Sequence, residues 1–500
     1  MLDERSPLLR YAKSSKPRPL GITKLIAGLV GVFLAGADKS ILLTTQNKIA
    51  SSLQSPSSAP LLLVSYNLGF CIALPVRTTV VQRFKSYCIF LILTSNPSGV
   101  VDSVWPFAFG RFLAGVGGSG MTDLLSVLIN EVFDVTEIAS VRSYVIAAEI
   151  FGHGCGGPLG GIITDNVGWR WALLGQAPIG ILCLILAYWQ LPKLPKKYDV
   201  EPRLSLWSFD YLGLGAFIIS TTSFVLGTTN GSPALDGKKP ALFTTSAIFL
   251  AILIFIEKMS SRPIFPASIV PAPGLRNVFL GQVMFFANIS IVLNNLPSYL
   301  SQVQNLTSSQ IALRIWPSSL GLILGAIIAG KVLRKTVKYR EVSLIGVGAS
   351  VSSLVVMIIR WMNGINGAEV HYGFPWAVGA GILLSAQFLT LTKWSPVDQM
   401  ANATAIYCLA QQIGQIVGTS GSTAAFKQLF SLRLGVNLSD TPLDKRTEII
   451  HKILQNYGSI ADLPDALQRA VQYSYIEAFR LIPALATILA TISGILILFT

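Results

Sequence analysis

Apolar segments long enough to cross a membrane recur along almost the whole of this 500-residue chain. A helix needs about 20 mainly apolar residues to span the hydrocarbon core of a bilayer. Such segments lie near residues 22–45, 59–80, 86–108, 109–130, 141–164, 170–190, 209–229, 241–258, 276–300, 310–331, 341–361, 372–393, 399–427 and 477–499. They predict an all-α integral membrane protein with about 14 transmembrane helices.

The composition argues against a soluble protein. Only 12% of the residues are charged, whereas soluble chains carry about 25%. The net charge of +14 would suit a nucleic-acid-binding protein, but the basic residues lie between apolar segments, so we expect no nucleic-acid partner. The five cysteines have no paired spacing and the three histidines are scattered, so we expect no metal site and no cofactor. The sequence also lacks the H-E-x-x-H and nucleophile-elbow motifs, which argues against an enzyme.

Lysine and arginine fall mainly on one side of the predicted membrane. If the N-terminus is cytosolic, the basic tail 1–21, the linker 191–208 and the loop around 331–340 all face the cytosol, as the positive-inside rule requires. The opposite side holds few basic residues. The sequons at Asn305 and Asn437 then lie in non-cytosolic loops, where they are candidates for glycosylation.

The predicted spans form two groups. Residues 22–190 predict an N-terminal six-helix bundle, and residues 276–500 predict a C-terminal six-helix bundle with a large non-cytosolic loop at 430–476. The cytosolic linker 191–208 follows the first bundle, and two extra spans with a loop occupy 209–275. We expect a monomer in which the two bundles rock about a central site to alternate access.

A glycine-rich segment, GRFLAGVGGSG, opens the fourth span at Gly110. No strand precedes it, so it is not a nucleotide-binding loop, and its glycines permit close approach of neighbouring helices. Arg111 places a charge within the membrane, which costs about 2.5–3.5 kcal/mol and normally requires a partner or an aqueous cavity. The alternative is a side chain that extends to the lipid headgroups.

The fifth span carries a second glycine cluster in the segment GHGCGGPLGGIITDN. Its members make a thin helix that can kink, pack tightly or rock against a neighbour; they are Gly152, Gly156, Pro158, Gly160 and Gly161. Close packing alone and a role in conformational change are both consistent with this pattern.

Three carboxylates fall inside predicted spans: Asp38, Asp123 and Glu149. Because a charge in the membrane is costly, such groups usually face a cavity. Asp38 is the strongest candidate for a proton carrier, with Lys39 or Arg111 as its counter-charge. Asp123 and Glu149 are candidates for binding a cationic substrate. A structural ion pair or a position near a helix end is the alternative for each.

Amide side chains could line the same cavity. Asn294 in the ninth span and Gln411 in the thirteenth are candidates for binding the solute. Amides within membranes more often form hydrogen bonds to neighbouring helices, so these residues rank below the carboxylates.

These segments together resemble the major facilitator superfamily, and more narrowly its fourteen-span drug:proton antiporter branch, which includes fungal vacuolar basic amino acid transporters. The resemblance lies in the two glycine-rich segments, in GADKSILLTT around Asp38, and in SPVDQMANATAIYCLAQQIGQIVG. It implies that Arg111 matches an arginine linked to proton transfer and that Asp38 matches the first-span aspartate. The fifth-span glycines match the antiporter motif, with Pro158 displaced by one position.

The loop between the second and third spans departs from the family. The family motif is G-x-L-x-D-x-x-G-R-[KR], whereas LPVRTTVVQRFKSY here retains Arg77, Arg83 and Lys85 without the aspartate or the glycines. The third span is also interrupted, at the sequence NPSG and again at Asp102. An altered gate and a faulty gene model would each account for this departure.

The membrane carboxylates and the resemblance predict a proton-coupled secondary transporter that moves a small organic solute out of the cytosol. Basic amino acids moved into the vacuole are the favoured cargo. Glu4, Leu8 and Leu9 fit an acidic dileucine sorting signal, which favours the vacuolar membrane. A plasma-membrane efflux pump for drugs, toxins or secondary metabolites is the alternative, and an integral membrane enzyme is the more distant one.

Overall fold

The computed structural model describes the segments 26–55, 58–80, 97–132, 135–190, 210–228, 237–260, 273–336, 339–365, 368–395, 400–439, 446, 449–450, 452–454 and 464–499. Every regular element within these segments is a helix. The predicted sorting residues Glu4, Leu8 and Leu9 and the linker 191–208 lie outside the described residues.

The first group of helices runs from residue 26 to residue 190. Its members are α1 (Ile26–Ser52), α2 (Ala59–Val80), α3 (Val104–Val132), α4 (Val135–Asn166), α5 (Trp169–Leu174) and α6 (Gln176–Gln190). Only Gly175 separates α5 from α6, so these two helices form one crossing. A hairpin of two further helices follows, α7 (Tyr211–Thr228) and α8 (Lys239–Met259).

The second bundle repeats this plan. Its members are α9 (Pro273–Gln302), α10 (Ser308–Thr336), α11 (Tyr339–Arg360), α12 (Gly373–Trp394), α13 (Met400–Asn437), α14 (Asp465–Phe479) and α15 (Leu481–Leu498). Eight described segments meet a length and hydropathy criterion for membrane spans, namely α1, α7 to α12, and the run from Leu467 to Leu498. We call the side on which α1 begins the tail side and the other side the far side.

Two boundaries differ from the sequence prediction. Residues 104–108, predicted to end the third span, instead begin α3, and a short 3-10 helix at Pro97–Val100 precedes them. The rest of the third span, 81–96, lies outside the described residues. Parts of the predicted loop 430–476 are helical, because α13 continues to Asn437 and α14 begins at Asp465. Buried aromatic and aliphatic side chains keep these extensions packed on the second bundle.

Glycines set the close packing within each bundle, and they do so in equivalent places. A Cβ at Gly152 of α4 would lie 2.1 Å from the Phe33 carbonyl oxygen of α1. A Cβ at Gly414 of α13 would lie 2.4 Å from the Val283 carbonyl oxygen of α9. The helix pairs α2–α3 and α10–α12 have glycine contacts of the same kind. The two bundles are therefore structural repeats held by backbone-to-backbone contact.

The bundles meet along two helix pairs. In one pair α4 packs on α10, and in the other α2 packs on α13. Helix α7 lies beside the second pair and contacts both of its members. Leu409 and Ile416 of α13 are buried among apolar residues of the first bundle. The faces that α1, α2 and α4 turn toward the second bundle are therefore the place to look for a transport site.

Candidate functional site

A buried ion pair lies near the middle of the first bundle. Arg111 of α3 donates from Nη1 to Oδ1 of Asp38 at 2.8 Å, and its Nη2 lies 2.8 Å from Oδ2. The Arg111 side chain is 0% exposed and that of Asp38 is 5% exposed. Arg111 therefore does not reach the lipid headgroups, and Asp38 provides the counter-charge that an intramembrane arginine requires.

Two neighbours hold this pair in position. Gln176, the first residue of α6, donates from Nε2 to Oδ1 of Asp38 at 3.2 Å. The guanidinium carbon of Arg111 lies 5.0 Å from the centre of the Tyr66 ring on α2, within the range of a cation–π contact. The site thus joins α1, α2, α3 and α6. Gln176 was missed by the sequence analysis, although an amide beside a long apolar run was a signal for it.

Lys39, the residue after Asp38, points elsewhere. Its Nζ lies 4.6 Å from the centre of the Phe70 ring and 5.4 Å from that of Tyr66. Neighbouring residues of a helix do not face each other, which explains why Arg111 rather than Lys39 pairs with Asp38. From the sequence alone, both cations were possible partners.

The other predicted substrate residues occupy different surroundings. Glu149 of α4 is partly exposed and acts electrostatically on Lys39. Gln411 is partly exposed on α13. Asn294 of α9 accepts at its carbonyl oxygen a bond from Gln46 Nε2 at 3.3 Å and donates to Thr419 of α13. Asp123 belongs to α3, and its side chain lies outside the described residues.

A polar cluster joins the two bundles at the far side. Asp165, in the last turn of α4, accepts from the backbone N–H of Ser309 at 2.7 Å and from its hydroxyl at 2.5 Å. Ser309 stands in the first turn of α10, so the carboxylate satisfies an unpaired helix N-terminus. Lys48 Nζ donates to Asp165 at 3.0 Å. This cluster was not predicted from the sequence, although a carboxylate shortly after the glycine motif was a signal for it.

A second polar contact between bundles lies close by, where Ser298 of α9 donates to Asn47 of α1 at 3.3 Å. These hydrogen bonds between the two bundles lie toward the far-side ends of their helices. Polar contacts therefore join the two bundles on the far side.

The glycine motif of α4 contacts both α1 of the first bundle and α10 of the second bundle. Gly152, Gly156 and Gly160 approach α1, with Cβ positions 2.1 Å from Phe33 O, 2.4 Å from Ala37 O and 2.6 Å from Ile41 Cγ1. Gly161 instead approaches the second bundle, with a Cβ position 2.8 Å from Ser308 O. Pro158 lies inside α4 and is partly exposed. Adjacent glycines of the motif thus serve different contacts, Gly160 within the first bundle and Gly161 between the bundles.

The two predicted glycosylation sites differ in their environment. Asn305 is exposed in the loop between α9 and α10, with a φ of 51°. Asn437 is partly buried, and its amide nitrogen donates to Ser474 at 2.8 Å and to Glu477 at 3.4 Å. A glycan attaches to this nitrogen and would disturb both bonds. Among the described residues, no group of three or more histidine, cysteine, aspartate or glutamate side chains could hold a metal ion.

Two repeated helix bundles, an interface between them and an intramembrane ion pair define an integral membrane transporter. The Major Facilitator Superfamily model matches residues 28–419, and the chain belongs to this superfamily. The fold agrees. A bacterial homologue of the human lysosomal transporter Spinster superposes with a TM-score of 0.63 at 13% identity, covering 97% of this chain and 98% of that one. The D-xylose–proton symporter superposes with a TM-score of 0.58 at 15% identity, covering 89% and 98%.

Relatives of the chain include fungal transporters. Multidrug resistance protein fnx1 of Schizosaccharomyces pombe is 25% identical, over 97% of this chain and 94% of that protein. The vacuolar membrane amino acid uptake transporter fnx2 of the same organism is 24% identical, over 91% and 82%. Vacuolar basic amino acid transporter 2 of Saccharomyces cerevisiae is 24% identical, over 80% and 87%. The protein is thus a transporter of the major facilitator superfamily rather than an enzyme.

Proposed function

We propose that this transporter is a proton-coupled antiporter that moves basic amino acids out of the cytosol and into the vacuole. The observation that carries the proposal is the buried pair of Asp38 and Arg111. Protonation of Asp38 would remove the charge that compensates Arg111, and an unpaired buried charge costs several kcal/mol. Proton binding at Asp38 would therefore favour another arrangement of α1 and α3.

This coupling is the proposed link between the proton gradient and the movement of the bundles. In the resting pair Asp38 contacts Arg111, and Gln176 and Tyr66 hold the pair in place. A proton that enters from the vacuole neutralises Asp38, loosens the contact between α1 and α3, and changes the balance between the two orientations of the bundles. One proton that crosses 100 mV provides about 2.3 kcal/mol, but a basic amino acid with one positive charge costs the same in the opposite direction. A one-for-one exchange is therefore driven by the pH difference across the membrane, at about 1.4 kcal/mol per pH unit.

The choice of cargo and membrane draws on the relatives. Two of them are named as vacuolar amino acid transporters, one of these for basic amino acids. Glu149, partly exposed near the interface, is a candidate for the cationic group of such a solute. The alternative is a plasma-membrane efflux pump, which is supported by the name of the multidrug resistance relative.

Uptake by vacuolar vesicles tests the proposal. Vesicles from cells that express the transporter should accumulate labelled arginine or lysine when ATP acidifies the lumen, and a protonophore should abolish accumulation. Asp38→Asn should abolish the proton-driven part. Asp102→Asn is the matched control, because the Asp102 side chain is 88% exposed and pairs with Arg170 at the far side. Accumulation unaffected by the protonophore would contradict proton coupling, and a tagged protein found in the plasma membrane would favour the efflux pump.

A further inference from the structure

Lys39 is a lysine at the centre of a membrane helix. It is the middle residue of the 27-residue α1, so about 20 Å of helix separates it from either end. A lysine side chain cannot extend over that distance to the headgroups. Its charge therefore has to be compensated inside the protein, and an uncompensated one costs about 2.5–3.5 kcal/mol even on insertion scales.

The described residues provide only part of this compensation. Asp38, the adjacent carboxylate, is paired with Arg111. None of the described ion pairs includes Lys39. Its ammonium instead lies over the rings of Phe70 and Tyr66, and such contacts contribute about 0.5–2 kcal/mol. Within the described part of the chain, the ammonium contacts ring faces and forms no ion pair with a carboxylate, so it can bind an anion that is not always present.

The surroundings of Lys39 place this anion at the interface between the bundles. Glu149 of α4 acts electrostatically on Lys39, and the neutral thiols of Cys71 on α2 and of Cys408 on α13 in the second bundle lie near its ammonium. Lys39 in turn acts on His153 of α4. Helices α1, α2, α4 and α13 therefore all have a residue near this ammonium, and α2 and α13 form one of the two helix pairs by which the bundles meet.

We propose that Lys39 is a substrate-binding residue that takes the carboxylate of the transported solute. The inference rests on the proposed function and deepens it, because it names the class of solute as a small amine that also carries a carboxylate. Lys39 donates to the carboxylate, and Glu149 on the neighbouring helix attracts the ammonium. Among the residues that the structure describes, neither Lys39 nor Glu149 belongs to a described ion pair. The first bundle thus presents a cation and an anion beside the Asp38–Arg111 pair, which matches a zwitterion in sign.

Matched pairs of ligands test this inference on the purified full-length protein in detergent. Each pair consists of an amino acid and the same molecule without its α-carboxylate: lysine and cadaverine, arginine and agmatine, histidine and histamine. A ligand that binds the folded state raises the unfolding temperature in proportion to the logarithm of its concentration over its Kd. The wild-type protein should bind the carboxylate member of at least one pair roughly ten- to a hundredfold more tightly, as a charge-assisted hydrogen bond implies.

Variants of Lys39 test whether this residue causes the preference for the carboxylate. Lys39→Met should remove the preference for the carboxylate member, and Lys39→Arg should retain most of it. Lys393→Met is the matched control, since Lys393 also lies over an aromatic ring, 4.5 Å from the centre of Tyr339, but at the tail-side end of α12. Should Lys39→Met fail to fold, the comparison of ligand pairs on the wild-type protein and on Lys39→Arg still decides.

Three outcomes would overturn the inference: equal binding of both members of every pair, no binding of any amino acid in the panel, or an unchanged preference in Lys39→Met. Failure of the proposed function is a separate result. If vesicles show no proton-driven uptake while lysine still binds far more tightly than cadaverine, the antiport proposal fails and the carboxylate site stands.

Discussion

Asp38 and Arg111 depend on each other for stability, because both side chains are almost completely buried. Asp38→Asn and Arg111→Gln should each lower the free energy of unfolding by about 3–5 kcal/mol, since each leaves one buried charge without its partner. The double variant should be more stable than the Arg111→Gln single variant, because it leaves no buried charge. Thermal or denaturant unfolding in detergent of the three variants and the wild type measures this coupling.

An additive double variant would contradict the coupling, because independent residues add their effects within about 0.5 kcal/mol. Transport distinguishes stability from function. The double variant should remain inactive in proton-driven uptake even where it regains stability, since it has no group that takes the proton.

Some residues of the candidate site could be predicted from the sequence, and others could not. Charged residues in apolar runs are conspicuous, so Asp38, Arg111 and Glu149 could be identified without a structure. The choice between Lys39 and Arg111 as the partner of Asp38 was left open, although helix geometry separates adjacent residues by about 100°. Gln176 and Ser309 could not be assigned, because their partners are 138 and 144 residues away in the chain.

Asp165, which lies beyond the predicted span 141–164, provides a prediction about pH. Partial burial acts to raise its pKa, but the bonds from Ser309 and the charge of Lys48 outweigh this and lower the pKa from 3.8 to about 2. A carboxylate with a lowered pKa contributes stability above its ordinary pKa and loses it as the pH falls toward 2. The far-side contact should therefore persist at vacuolar acidity.

The expected effect of Asp165→Asn is a small loss of stability that is the same at about pH 5 and at about pH 8, because the carboxylate is ionised at both. Unfolding temperatures of the variant and the wild type at these two values provide the measurement. A difference that shrinks toward pH 5 would show that Asp165 takes up a proton in this range, and the far-side contact would then respond to the proton gradient.

At the scale of helices, the glycines of α4 are not equivalent, although they belong to one motif. Gly152→Ala should destabilise the protein by about 1–3 kcal/mol, because its Cβ would lie 2.1 Å from a backbone oxygen of α1 that cannot move alone. Gly154→Ala is the control within the same helix, since the nearest atom to its Cβ position is Ile323 Cδ1 at 4.0 Å. Unfolding of both variants in detergent is the measurement.

Equal destabilisation by the two substitutions would contradict this assignment, because it would point to a general loss of helix flexibility. Alanine is the stronger helix former by about 1 kcal/mol, so Gly154→Ala should be neutral or slightly stabilising. The comparison therefore separates steric contact from helix propensity.

The transmembrane helices were the most predictable part of this molecule. Twenty apolar residues in succession have few alternatives to a membrane helix, so the described helices account for every predicted span except the third. Boundaries were less predictable, because they depend on packing rather than hydropathy. The end of α13 is polar and charged, yet Phe430 and Leu434 are buried there against Tyr475 of α14 and its neighbours. A hydropathy profile averages these buried apolar residues with the polar residues between them. Such a segment is then predicted to be a loop.

For the whole molecule, alternating access requires the far-side contacts between bundles to break in each cycle. Asn47 and Ser298 form such a contact, with 3.3 Å between their side-chain oxygens. In a chain without its native cysteines, Asn47→Cys and Ser298→Cys together should form a disulfide or accept a short thiol crosslinker. The crosslink should abolish transport, and reduction should restore it, as measured by uptake into proteoliposomes.

A crosslink within one bundle provides the control for this experiment. Asn437 and Ser474 are in hydrogen-bond contact at the far side, and both belong to the second bundle. Asn437→Cys and Ser474→Cys should crosslink without loss of transport, because rigid-body rocking leaves distances within a bundle unchanged. If the pair between bundles were crosslinked to completion and transport continued, the far-side contacts would be permanent, and the solute would have to leave by a path that does not separate α1 from α9.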